Sequence, residues 1–129
     1  MGKIKYTLKT IPNGVAGIAE TLRLMGIIIR KYRRAPSVRE LALSLVKYLP
    51  SKSYKREVAA IHAYVYNNIR YVRDVRGVET LQTPIQTIRI GQGDCDDHTM
   101  IVAALLEAIG HKTRIVAVGS KPNTYQHVF

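Results

Sequence analysis

Cysteine occurs once in the chain, tryptophan not at all and phenylalanine once, within 129 residues. A lone cysteine closes no internal disulfide, which excludes a disulfide-stapled secreted scaffold and is compatible with a reducing compartment. Core burial must then hold the fold, and at this length one domain spanning residues 1–129 buries enough without staples. Acid is scarce too, with 9 Asp and Glu against 20 Lys and Arg. Long apolar runs are missing: the best stretch, residues 15–29, is broken by Glu20 and Arg23 and falls short of the roughly 20 residues that cross a bilayer. No small-residue cleavage site follows it, so it does not read as a signal peptide. These absences predict a soluble protein, cytoplasmic in the producing cell, with no membrane span.

The charge that is present is uneven. Residues 1–76 hold 16 Lys and Arg against 4 acids, a net +12, and residues 77–129 hold 4 against 5, a net −1. The chain therefore divides into a basic, helical N-terminal part and a near-neutral second part. Clusters at Arg30–Arg34 and Lys52–Arg56 offer weak contact to nucleic acid or to an acidic protein surface. Solvated helix faces are the preferred explanation, because no zinc-finger or RNA-binding signature accompanies them.

Periodicity and punctuation predict the elements. Residues 1–14 read as an extended arm ending in a turn at Pro12–Gly14. Ile18, Leu22, Met25 and Ile29 mark one face of a helix ending in the basic run before Pro36. Ser37 and Glu40 form a capping-box pattern for a second helix, with Leu41, Leu45 and Tyr48 on its apolar face beside Val38, Ala42 and Leu49, stopped by Pro50. Val58, Ile61, Val65 and Ile69 mark a third. His62 lies beside that stripe, and a structural role is preferred for it. Residues 72–82 read as a polar loop. Thr83 and Gln86 are a second capping box, with Pro84 at the first helical position of a short helix that Gly91 ends.

The stretch from Gly91 to Met100, GQGDCDDHTM, organises the rest. Asp94 is of the type that caps a helix, so a long, central, buried helix is expected from Cys95 to Gly110. A thiol in that first turn meets unpaired N–H groups and the positive end of the helix dipole, both of which favour thiolate. Asp96 and Asp97 act the other way. Residues 113–118 and 125–129 read as strands, and the two-residue period puts Tyr125, His127 and Phe129 on one face. If that face lies over the start of the central helix, His127 meets Cys95 as base to nucleophile. A buried, inert Cys95 is the alternative. His98 invites a metal, but four consecutive helical residues point around the helix and cannot converge on one ion, so neither metal nor cofactor is expected. His111 sits at the negative end of the helix dipole and is assigned no chemistry.

The run GQGDCDDHTMIVAALLEAIG, followed by TRIVAV and QHVF, resembles the transglutaminase-like superfamily of papain-like cysteine enzymes. Val65 to Tyr71 resembles that family's helix before the catalytic loop, and LQTP upstream of GDCDDH looks most like proteins encoded by tailed phages and prophages. The resemblance implies an α+β fold: N-terminal helices, then a central helix with the cysteine at its N-terminus, packed on a small antiparallel sheet. It implies catalysis by Cys95 and His127 on amide bonds of a protein or peptide, by hydrolysis or acyl transfer. The Cys95 N–H would be one oxyanion donor, and Gln82 and Tyr71 are the weak candidates for the second or for shaping the site with Asp94. The family also implies a third residue, usually Asp, on the strand after the histidine, and the sequence stops two residues past His127. A truncated or processed form, an acid from elsewhere and a non-catalytic protein all remain open. The rival function is a phage structural or assembly protein that uses the fold as a platform for DNA or virion proteins.

Overall fold

The computed structural model describes residues 14–73, 80–121 and 125–129. The expected arm before Gly14, most of the loop at 72–82 and part of the turn at 119–123 lie outside them. Helix α1 (Gly14–Tyr32) buries Gly17, Thr21, Met25 and Ile29, a stripe four residues apart that winds slowly round the helix.

Helix α2 (Pro36–Val46) starts differently from the sequence expectation. Its N-cap is Ala35, without a side-chain cap, and Pro36 occupies the first turn. Proline carries the φ of that position and lacks the N–H that would need a cap, so it sets the start and the Ser37–Glu40 capping box is not used. The apolar face also ends earlier than expected. Val46 is the last helical residue and Tyr48 is 89 % exposed, because the chain has turned off the helix before it reaches Pro50.

Helix α3 (Tyr54–Asn68) buries Ile61 and Val65, and Val58 stays exposed. It stops before the expected approach to Tyr71. Ile69 is extended, and strand β1 (Arg70–Tyr71) pairs in parallel with strand β2 (Gln92–Gly93). Arg70 N–H donates to Gly91 O at 2.8 Å and Val72 N–H to Gly93 O at 2.9 Å. This short ladder clamps the glycine loop before Cys95. Helix α4 (Pro84–Ile90) has Thr83 as N-cap, Pro84 in its first turn and Gly91 in the left-handed conformation at φ 70°. There a β-carbon would be strained.

Helix α5 (Cys95–Ala108) is the centre. It buries eight residues, including Met100, Ile101, Ala103, Ala104 and Leu105. One side joins Val38, Ala42, Ile61 and Val65 of α2 and α3. The other meets Met25 and Ile29 of α1 and Val128 of strand β4 (His127–Val128). Each large aliphatic side chain buried this way contributes roughly 1.5–3 kcal/mol. Strand β3 (Ala117–Val118) pairs antiparallel with β4. The fold is α+β, with five helices and two short two-stranded ladders among the described residues. No described helix is long and apolar enough to cross a membrane.

Candidate active site

Local capping places Cys95. The Asp94 side chain accepts from Asp97 N–H at 3.0 Å while the Asp97 carboxylate accepts from Asp94 N–H at 3.1 Å, a reciprocal capping box. Asp94 and Asp97 are both buried. Cys95 is thus the first helical residue, and its N–H has no partner within the helix.

A longer-range contact fixes that turn. Gln82 N–H donates to Asp97 Oδ1 at 2.8 Å, and Gln82 Nε2 donates to Asp97 Oδ2 and to Gln92 O, each at 3.0 Å. A carboxylate buried in this way needs such donors, since an unpaired buried charge is costly. Gly93 passes so close that a β-carbon there would lie 2.6 Å from Asp97 Cβ. Sequence reasoning missed the use of Asp97 as an anchor; the reciprocal spacing of Asp94 and Asp97 was the available signal.

Cys95 opens into a groove of about 570 Å3, lined mainly by apolar side chains of α3 and α5 and by the segment 112–115. Tyr71, Cys95, His98 and His127 all line it. Gln82 and Asp94 do not. They face a smaller recess of about 190 Å3, together with Asp97. Gln82 therefore does not present an oxyanion donor to the groove, because its amide is spent on Asp97 and Gln92. Tyr71 does reach the groove, half-exposed, with its ring edge-on to His98 at 5.8 Å between centroids.

The two-residue period holds across residues 127–129, but the face of Tyr125, His127 and Phe129 is not the one that lies over α5. The residue of β4 that packs against α5 is Val128, which is buried with Met100 and Ala103, whereas Tyr125, His127 and Phe129 are exposed. The main chain of Val128 makes the join: its carbonyl accepts from the Thr99 hydroxyl at 3.1 Å. Thr99 lies one helical turn after Cys95, so this bond sets β4 beside the first turn of α5. His127 flanks Val128, with its ring 5.9 Å from that of Phe129.

Electrostatics at the sulfur oppose ionisation. Burial pushes the Cys95 thiol up, the carboxylates of Asp96 and Asp94 add to this, and the Val128 hydrogen bond pulls the other way. The thiol lies 3.7 Å from Asp96 Oδ1. Burial also raises the Tyr71 phenol, with the Cys95 charge adding to it.

His98 and His62 have places that sequence spacing alone did not assign. His98 follows Cys95 by three residues on the same helical face and lines the groove, and its Nε2 is buried with no hydrogen-bond partner. His62 stacks on Tyr66 at 6.3 Å on the groove wall. His111 Nε2 pairs with Glu57 at 2.8 Å and ties the end of α5 to α3. No three His, Cys, Asp or Glu side chains gather as a metal site among the described residues.

Comparison with known proteins agrees with this architecture. A family model described as the transglutaminase-like superfamily matches residues 40–128, from α2 through β4. No curated protein and no solved structure matches. The matched span covers the helix that carries Cys95, the strand that carries His127 and most of the chain, and on that ground the protein belongs to the transglutaminase-like superfamily.

Proposed function

We propose that the protein is a cysteine enzyme that breaks amide bonds of proteins or peptides, with Cys95 as nucleophile and His127 as its base. The observation that carries this is the position of the thiol: first residue of a capped helix, open to a groove that His127 also lines. In the first half-reaction His127 takes the thiol proton and the sulfur forms a bond to the carbonyl carbon. The C–N bond then breaks, and the proton passes from His127 to the departing amine. In the second, water or another amine attacks the thioester, loses its proton to His127 and returns the thiol. Water gives hydrolysis and an amine gives acyl transfer, and both belong to the same proposal. The Cys95 N–H and the Tyr71 hydroxyl are the proposed donors to the oxyanion. The GDCDDH and LQTP resemblance supports a phage or prophage setting, with virion proteins among the candidate partners.

The test is trapping. Iodoacetamide near neutral pH should alkylate Cys95 faster than a free thiol of similar exposure, and His127→Ala should slow it at least tenfold. Ordinary-thiol rates in both proteins would end the catalytic proposal.

One observation favours a second reading. The raised thiol, beside two carboxylates, is what an unreactive cysteine would show, and the basic surface of α1–α3 would then serve a binding platform for DNA or virion proteins. DNA binding that falls steeply with salt would support it, and no gel shift at low salt would count against its nucleic-acid form.

A further inference from the structure

His98 carries a buried nitrogen for which the fold supplies no ordinary partner. Its Nε2 is sealed from solvent and makes no hydrogen bond. Its neighbours in the chain are paired: Asp97 receives donors from Gln82 and Asp94, and the Thr99 hydroxyl donates to Val128 O. A buried N–H with nothing to receive it destabilises a fold, so the ring that lies against His98 is where a receiver should be sought. That ring belongs to Tyr71. The two centroids are 5.8 Å apart and the planes 65° apart, an edge-to-face arrangement in which the positive rim of one ring meets the negative face of the other. An imidazole N–H is the most polar part of such a rim, and an aromatic face accepts it.

Tyr71 has little else to steer it. Strand β1 ends at this residue, and the register of its ladder puts Tyr71 opposite Gly93. Side chains directly opposite one another pack together across such a ladder, but glycine brings none. A larger residue cannot stand at 93, because its β-carbon would lie 2.6 Å from Asp97 Cβ. Nor is the ring locked in the core, for Tyr71 is 52 % exposed. His98 is the opposite case: it stands on the buried helix α5, three residues from Cys95 and on the same side of that helix. Tyr71, Cys95 and His98 line one groove. Burial raises the Tyr71 phenol and the Cys95 charge adds to it, which puts the hydroxyl within electrostatic reach of the sulfur.

We propose that His98 is the positioning residue for Tyr71: its Nε2–H points into the face of the Tyr71 ring and so holds the phenol beside the Cys95 sulfur. The proton must then sit on Nε2, leaving Nδ1 as the acceptor of the ring. His98 touches no reacting atom in this role. The inference rests on the proposed use of the Tyr71 hydroxyl as an oxyanion donor, whereas the contact between the rings exists whether or not a reaction takes place.

Two measurements on the intact protein test this. Proton–nitrogen-15 correlation spectra of the imidazoles near neutral pH read the contact itself. His98 is expected as the tautomer protonated on Nε2, with that proton shifted upfield by the Tyr71 ring, and Tyr71→Leu should remove the shift. The second measurement compares two reagents at Cys95. Acylation by p-nitrophenyl acetate passes through an oxyanion and alkylation by iodoacetamide does not, so His98→Ala should slow acylation about tenfold more than it slows alkylation. His98→Gln, which keeps an N–H donor, should restore most of that difference, and His98→Phe, which keeps only the ring, should not. Methyl resonances of Met100 and Leu105 show that each variant is folded. A His98 ring unprotonated at Nε2, a proton shift unchanged in Tyr71→Leu, or equal slowing of the two reagents in His98→Ala would each overturn the proposal. Should native Cys95 acylate no faster than an ordinary thiol, the catalytic reading fails and the spectra alone decide the contact.

Discussion

Replacing Asp96 by asparagine keeps the side-chain shape and removes one charge beside the sulfur. The carboxylate lies 3.7 Å from the thiol and is buried. A full repulsion at that distance amounts to about 4 kcal/mol at an effective dielectric near 20 and about 1 kcal/mol in water. Cys95 is half-buried, so its pKa is expected to fall in Asp96→Asn as that repulsion is removed. Each unit gives about tenfold more thiolate below the pKa, but a less basic thiolate is also a weaker nucleophile by about threefold. The net gain in alkylation at neutral pH is therefore about threefold per unit. The assay is the rate of iodoacetamide modification of Cys95 against pH, with thiolate absorbance as an independent titration. The charge also favours the N-terminus of α5, so a stability loss of about 0.3–1 kcal/mol should accompany the faster reaction. A Cys95 pKa that stays put or rises in Asp96→Asn would refute this account of the local field.

Three further outcomes follow from the same geometry. Gly93→Ala forces a β-carbon onto Asp97, and urea unfolding should register a loss of about 1–3 kcal/mol together with slower alkylation of Cys95. Gln82→Ala strips the Nε2 donor from a buried carboxylate, leaving the main-chain donor, and should cost about 1–3 kcal/mol by the same assay, whereas wild-type stability would contradict the anchoring role of Gln82. The Cys95 thiol is raised on folding, so its contribution to stability is full below the unfolded thiol's pKa and is lost as pH rises through the folded one. Denaturation curves at alkaline pH should show this loss in the native protein and not in Cys95→Ala.

What could be read from the sequence was mostly local. Thr83, Pro84, Gly91 and Asp94 fix backbone conformation within three or four residues, and the starts of α4 and α5 fall where those residues put them. Ser37 and Glu40 carried the same kind of signal and were overruled by a neighbour, because Pro36 began the helix first. Tyr48 was misplaced because an apolar stripe does not say when a helix will stop. The contacts across long separations were harder to see. Gln82 and Asp97 are 15 residues apart, and nothing in either residue type announces that one amide will satisfy the other's carboxylate. The parallel ladder of β1 and β2 has only two residues per strand, too few for any alternation to appear. The segment from residue 113 to 118 has the composition of a strand, and the ladder with β4 takes in Ala117 and Val118, with Val116 bonded to Phe129 beside them. Burial still alternates along its whole length, so the period was legible where the hydrogen bonds were not.

The claim that Cys95 and His127 act as one unit is tested most directly by their proximity in solution. Nuclear Overhauser contacts between the Cys95 β-protons and the His127 ring protons report it at constant pH, without any chemistry having to occur. The account predicts such contacts in the native protein. Ring protons of His127 that contact only Phe129 and solvent would contradict the pairing on which the proposed chemistry depends.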